Sequence, residues 1–256
     1  MSAPLHITSR DNALLVGLRK LAQDSSGYRR AGQVWLEGEH LCSALKQRGG
    51  VALQSLITQE AWLDPACRAL ASWAQKVAIV PRPLFKAIST LDSPAEVGFI
   101  MALGDAPAID PVAATVVLDR IQDAGNVGSI LRSAAAFGFA QVLAVKGTAA
   151  LWSPKVLRAG MGAHFALRLV EGLDLADLQT LAVPLLATSS HGGVELHQAA
   201  LPKPCAWVLG HEGQGVSPQL LQRCAVQVRI PQPGGEESLN VAAAAAVCLY
   251  ESARAQ

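Results

Sequence analysis

The chain is poor in charge: 16% of its 256 residues are Asp, Glu, Lys or Arg, the formal net charge is +1, and half of the residues are apolar. That balance argues neither for nor against a nucleic-acid partner, but it leaves enough apolar side chains for one large domain or two modest ones. Cysteine is scarce and scattered. The five, at 42, 67, 205, 224 and 248, form no Cys-x-x-Cys pair and no metal-ligand spacing. This usage fits buried thiols kept reduced in the cytosol better than a disulfide framework. No basic and then apolar leader opens the chain. The alanine-rich run 242–248 is too short and too weakly apolar to span a bilayer. The expectation is a soluble cytoplasmic protein without a membrane partner. No internal repeat is visible.

Two nucleotide fingerprints are missing as well. Val208-Leu209 is followed by Gly210-His211-Glu212-Gly213-Gln214-Gly215. This turn lacks the Gly-x-Gly-x-x-Gly order, and no acidic residue ends a strand about 20 residues later, as a dinucleotide fold needs. Gly215 leads into Val216-Ser217 rather than Lys-Ser/Thr, which excludes a P-loop. Metal is not expected: His191, His197 and His211 share no ligand spacing on one element, and His164 reads as structural.

What is present alternates. Leu14, Leu15, Leu18 and Leu21 repeat at helical spacing, 34–36 reads as a strand, and 39–47 as a helix stopped by Gly49-Gly50. Strands follow at 53–57, 77–80 and 97–102, with helices centred on 65–75 and 83–88. Residues 104–112 hold two prolines and a glycine without periodicity, and read as a linker. A second series has strands at 115–118, 141–145, 166–170, 183–187, 206–209 and 226–230. Helices near 128–137, 154–160, 175–181, 218–224 and 239–253 separate them. This alternation predicts an α/β fold with a parallel sheet. Residues 1–50 carry seven Lys and Arg against four Asp and Glu, a mild excess able to face phosphate or simply to form a solvated helix face.

Three segments concentrate polar groups at strand ends. In the first, Gly125 and Gly128 bracket Asn126, and Arg132 lies opposite Ile130, Leu131 and Ala134. An arginine near exposed helix N–H groups suits phosphate; the plainer reading makes Asn126 an N-cap and Arg132 a solvated charge. Gly138 reads as the residue that ends this helix. In the second segment, Ser153-Pro154 reads as an N-cap with proline at the first helical position. The third is the glycine turn with Ile230-Pro231 and Glu237-Ser238-Leu239-Asn240-Val241, where bare backbone, a carboxylate, a hydroxyl and an amide meet. For Ser238 an N-cap role is the plainer alternative.

Together these segments resemble the SpoU (TrmH) family of RNA 2′-O-ribose methyltransferases within the SPOUT superfamily. The blocks Asp119 to Gly138, Ser153 to His164 and Val208 to Val247 carry the resemblance, over roughly the C-terminal 150 residues. The first matches Asp-Pro-x-Asn-x-Gly-x-Ile-x-Arg-x-Ala, although Ala124 stands where the family has proline. The last matches Gly-x-Glu-x-x-Gly, Ile-Pro and Ser-Leu-Asn-Val, followed here by alanines rather than Ser-Val. Ile7 to Asn12 and Leu36-Glu37-Gly38 are more loosely similar to the family's N-terminal substrate-binding domain of L7Ae type.

The resemblance implies an RNA-binding domain over 1–103, a linker at 104–112 and a catalytic domain over 113–256 with a trefoil knot, which general topology rules disfavour. It implies S-adenosyl-L-methionine as methyl donor, held at Gly210, Ile230 and Leu239 with Thr188 as a weaker neighbour, and no metal. It assigns the catalytic work to Asn126, Arg132, Glu212, Ser238 and Asn240, in a homodimer whose Arg132 completes the partner's site. Arginine stays charged, so Arg132 fits a phosphate clamp and alkoxide stabiliser better than a base, whereas Glu212 can accept a proton or orient a neighbour. The separate N-terminal domain points to ribosomal RNA as substrate. Transfer RNA is the alternative, and an inactive RNA-binding knot protein or a nucleotide-dependent oxidoreductase are readings from other classes.

Overall fold

The computed structural model describes residues 3–189, 192–234 and 238–254. Glu237 and His191, which the sequence singles out, lie outside them. The chain forms two compact units, Met1–Asp105 with Trp152–Phe165, and Ala106–Leu151 with Ala166–Gln256.

The first unit contains a five-stranded sheet: β1 (Leu5–His6), β2 (Gln33–Glu37), β3 (Gln54–Thr58), β4 (Val77–Val80) and β5 (Val97–Ala102), in the order β1-β4-β3-β5-β2. The sheet is mixed, because β5 runs antiparallel to both β2 and β3. Helices α1 (Ala13–Gln23), α2 (Gly27–Ala31), α3 (Glu39–Gln47), α4 (Gln59–Leu63), α5 (Pro65–Ala71) and α6 (Arg82–Lys86) connect the strands. Asn12 caps α1 by accepting from Leu14 N at 3.0 Å, and the buried Leu15, Leu18 and Ala22 of that helix join Trp35, Leu56 and Phe85 in one core. Gly98 on β5 has no side chain because the ring of Trp35 occupies the space: a Cβ there would lie 2.2 Å from it. The strands fall within a residue or so of their expected places. β1, α2 and α4 were not expected, since two to five residues are too few to display a period.

The second unit is built on a seven-stranded sheet, all of whose pairings are parallel. Its strands are β6 (Thr115–Asp119), β7 (Gln141–Val145), β8 (Arg168–Leu173), β9 (Leu185–Thr188), β10 (Val194–Glu195), β11 (Ala206–Gly210) and β12 (Val226–Arg229), in the order β10-β12-β9-β11-β6-β7-β8. The expected α/β class with a parallel sheet is what forms, with the two-residue β10 added at one edge. Central strands β6, β7 and β11 are buried at every position, which explains their apolar interiors, with polar residues only at the ends of β6 and β7. Helices α7 (Ala124–Ala136), α9 (Pro218–Leu221) and α10 (Val241–Arg254) belong to this unit, whereas α8 (Pro154–Gly160) belongs to the first.

Segment 175–181 forms a 3₁₀ turn over Asp177–Thr180 rather than the expected helix. There Asp177 Oδ2 accepts from Asp174 N at 2.8 Å and competes with helical bonding. Gly138, with φ 79°, follows the end of α7 as expected, and Ser153 caps α8 with Pro154 at its start. His164 is buried 5.2 Å from the Trp152 ring, in keeping with a structural residue. The proline-bearing stretch 104–112 is stitched to the second unit from Ala108 onward. Arg168 donates to Ala108 O at 3.0 Å, Gln141 exchanges hydrogen bonds with Asp110, and Ala182 N donates to Pro111 O at 2.8 Å. Among the described residues no helix is long and apolar enough to cross a membrane.

Candidate active site

Strands β6 and β11 pair in parallel with Asp119 opposite Gly210, so the two chains leave the sheet side by side. After β6, Arg120 takes a left-handed backbone (φ 61°), held by its N–H donating to Thr148 Oγ1 at 3.1 Å. Helix α7 begins four residues later, at Ala124. Its cap is Asp123, whose carboxylate accepts from Asn126 N at 2.8 Å, and not Asn126 as the plainer sequence reading had it. Asn126 is the third residue of the helix, and its side chain is thereby released for other bonding.

The chain leaving β11 folds straight back on itself. Gly215 N donates to His211 O at 2.8 Å and Gly213 N to His211 Nδ1 at 3.0 Å. The return is so tight that a Cβ on Gly210 would lie 2.1 Å from the backbone of Gly215 and Val216, which is why glycine stands there. This turn presents Glu212 to the start of α7. One carboxylate oxygen accepts from Asp123 N at 3.1 Å and from Asn126 Nδ2 at 3.1 Å, and the other from Gln122 N at 3.2 Å. Partial burial acts to raise the Glu212 pKa. The hydrogen bonds from its own N–H, Asn126, Asp123 and Gln122 outweigh that, and the net result lies below the ordinary value of 4.5. An ionised carboxylate that already accepts this many donors is a poor proton acceptor at neutral pH and a good orienter.

Asn126 passes the orientation on. Its Oδ1 accepts from Asn240 Nδ2 at 2.9 Å, while Asn240 Oδ1 accepts from Ala242 N at 2.9 Å and Ala243 N at 3.3 Å. Asn240 is thus the residue that caps α10, in place of Ser238. Three residues from remote parts of the sequence form one chain of hydrogen bonds, Glu212–Asn126–Asn240, with every amide atom assigned a role.

The other two expected catalytic residues are not joined to it. Arg132 projects from the exposed face of α7 that also carries Gly125 and Ser129, and among the described residues it forms no hydrogen bond or ion pair. Ser238 is exposed and likewise unbonded among them. The expected cofactor positions lie at strand ends along one edge of the sheet. Gly210 closes β11, Ile230 follows β12, and Thr188 ends β9 opposite Val228. Leu239, 42% exposed, precedes Asn240. Ile230 is half-buried, and Leu239 is the chain neighbour of Asn240 in the amide network. Arg229, the nearest cation on β12, is occupied by Glu195 at 2.7 Å. Such an edge suits a flat, apolar heterocycle and offers little to a pyrophosphate. Among the described residues no three His, Cys, Asp or Glu side chains are grouped to hold a metal ion.

Sequence reasoning missed the Asp119–Arg120 pair. Asp119 is fully buried at the end of β6, accepts from Ser217 N at 2.6 Å, and binds Arg120 Nε at 3.0 Å. Arg120 in turn donates to Gln214 at 3.0 Å. The available signal was a carboxylate closing the otherwise apolar strand Thr115 to Leu118.

A sequence profile of the SpoU rRNA Methylase family matches residues 113–250. An uncharacterized tRNA/rRNA methyltransferase of Synechocystis is 34% identical over 259 residues, covering 98% of this chain and 94% of that one. The 23S rRNA (guanosine-2′-O-)-methyltransferase RlmB of Bordetella pertussis is 37% identical over 150 residues, 57% of this chain and 61% of that one. Among solved structures, the AdoMet-bound rRNA methyltransferase of Sinorhizobium meliloti superimposes with a TM-score of 0.84 at 27% identity, covering 98% of this chain and 97% of that one. With the matched profile and the full-length relative agreeing, this chain belongs to the SpoU rRNA methylase family.

Proposed function

We propose that this protein transfers a methyl group from S-adenosylmethionine to a ribose 2′-hydroxyl of RNA, and that its substrate is ribosomal RNA. The observation that carries the reading is the Glu212–Asn126–Asn240 chain of hydrogen bonds beside the ends of β9, β11 and β12. Bound at that edge against Gly210, Ile230 and Leu239, S-adenosylmethionine supplies an already activated methyl group. The protein is then left to align the nucleophile and manage its proton. Asn126, fixed at both ends of its amide, and Asn240, fixed by the helix it caps, hold the ribose without reorganising. Glu212 stays ionised and orients Asn126. Arg132 clamps the target phosphate and stabilises the developing alkoxide, for which a permanent cation is suited. Ser238 contributes a hydroxyl at the same mouth.

Arg132 stands outside the network of its own chain, which supports a homodimer in which it completes the partner's site. The same reading gives the second unit a trefoil knot and needs no metal. It makes 1–103 an L7Ae-type RNA-binding domain, joined through 104–112 to a catalytic domain over 113–256, in a cytoplasmic enzyme. The mild basic excess of residues 1–50 supports an RNA partner there. Transfer RNA is the second reading, and the name of the Synechocystis relative allows either RNA.

The test maps 2′-O-methyl marks across total RNA from a deletion strain and its parent. One ribosomal mark missing from the deletion strain and restored in vitro by purified protein with S-adenosylmethionine is expected. Unchanged marks on all RNA, with no transfer in vitro, would sink the proposal.

A further inference from the structure

The turn that carries Glu212 is tied to the β6–α7 segment from both directions. Glu212 reaches out of the turn to Gln122, Asp123 and Asn126, and the pair Asp119–Arg120 reaches into it. Asp119 divides its carboxylate: Oδ2 takes the N–H of Ser217, where the chain leaves the turn, and Oδ1 takes Arg120 Nε. Arg120 then uses Nη1 to hold Gln214 near the turn's tip. The exit and the tip of one short turn are therefore fixed by a single carboxylate, one directly and one through a guanidinium.

Two features set this pair apart from an ordinary surface ion pair. Asp119 is fully buried, where an unpaired carboxylate is costly and a paired one is geometrically definite. Arg120 is also one of only two non-glycine residues with positive φ among those described, a conformation that costs about 1 kcal/mol or more and persists where surroundings impose it. Thr148 imposes it, accepting from Arg120 N and donating to Leu118 O at 3.0 Å. Gly147 leaves room beside the arginine stem, since a Cβ on it would lie 3.3 Å from Arg120 Cγ.

We infer that Asp119, acting through Arg120 and Ser217, is a positioning residue for the methyl-transfer reaction, setting the turn so that the Glu212 carboxylate meets Asn126. The inference rests on the function proposed above. A residue that acts in this way lowers kcat when altered and leaves cofactor binding intact, because displacing a reacting group by about 1 Å costs on the order of 100-fold in rate.

The experiment compares wild type, Asp119→Asn and Arg120→Gly in steady-state methyl transfer to RNA, with calorimetric titration of S-adenosylmethionine and a thermal melt. Asparagine keeps the acceptor for Ser217 N but removes the charge that holds Arg120. Glycine accepts φ 61° without strain, so Arg120→Gly removes the side chain without distorting the backbone that carries it. The expected result is a kcat about 100-fold lower in Asp119→Asn and about tenfold lower in Arg120→Gly. Kd for the cofactor stays unchanged in both, and both melt lower than wild type, because Arg120→Gly leaves the buried Asp119 carboxylate without its cation. A purely structural pair would move the melt and not kcat. If Asp119→Asn folds and keeps wild-type kcat, or fails to fold while Arg120→Gly keeps it, the inference is overturned. Wild type that transfers nothing to RNA sinks the proposed function instead, so the two failures are told apart.

Discussion

Two parts of the candidate site, a few residues apart, are built on opposite plans. Where β6 and β11 end, nearly every polar group is engaged: Asp119, Arg120, Gln214, Glu212 and Asn126 cross-link two loops. At Ile230 and Leu239 the side chains are apolar and partly open to solvent, Leu239 with 42% of its surface exposed. The first region is ready before any ligand arrives, as stabilisation of a transition state requires. The second holds back contact area that only a bound molecule can use. Arg132 belongs to neither plan, being bonded to nothing among the described residues.

The comparison is tested most severely at Arg132. Arg132→Ala should lower kcat about 1000-fold with cofactor Kd unchanged, the scale of losing a preorganised charge-stabilising donor. Mixing it with Asn240→Ala subunits should recover part of the activity; absence of recovery in a confirmed mixed dimer would place Arg132 in its own chain's site. Gly210→Ala attacks the engaged region itself. The added methyl meets the backbone of Gly215, so a stability loss of roughly 1–3 kcal/mol in a denaturant titration and a kcat drop of about 100-fold are expected. An unperturbed variant would mean that the turn has slack. In the open region Leu239→Ala should weaken cofactor binding only about fivefold by calorimetry, matching roughly 1 kcal/mol of apolar contact, and leave kcat alone.

The smallest effect is one of pH. Glu212 has a folded pKa below its ordinary 4.5. Its contribution to stability is therefore complete above that unfolded value and is lost only as pH falls through the lower folded one. Thermal melts of wild type and Glu212→Gln should differ by a constant amount from pH 8 down to about 5 and converge at more acid pH. A difference that closes near neutrality would contradict the hydrogen-bonded carboxylate.

How much of this was legible follows from the range over which each signal acts. Strands such as Thr115–Asp119 and Ala206–Gly210 carry an apolar run, Val116 to Leu118 and Ala206 to Leu209, and announce themselves locally. Asn126 and Glu212 stood out because glycines flank them, and Asn240 because it opens the alanine-rich helix. What joins them was not legible, because the hydrogen bonds link positions 86 and 114 residues apart. The caps show the same limit on a shorter scale. Asp123 and Asn240 hold the helix starts, whereas Asn126 and Ser238 were equally eligible by residue type, and only the backbone path decides between them. Asp119 went unread for a related reason. A carboxylate at a strand end is ordinary until the order β11-β6-β7 encloses it and leaves Ser217 and Arg120 as its partners.

Asn240 serves two masters. One end of its amide faces Asn126 and the other secures the first turn of the terminal helix through Ala242 and Ala243. Any occupant that draws Asn240 into place also tightens that turn, and any that pulls it away frays it. Deuterium uptake at the amides of Ala242 and Ala243 is thus a built-in gauge of occupancy, readable without following turnover.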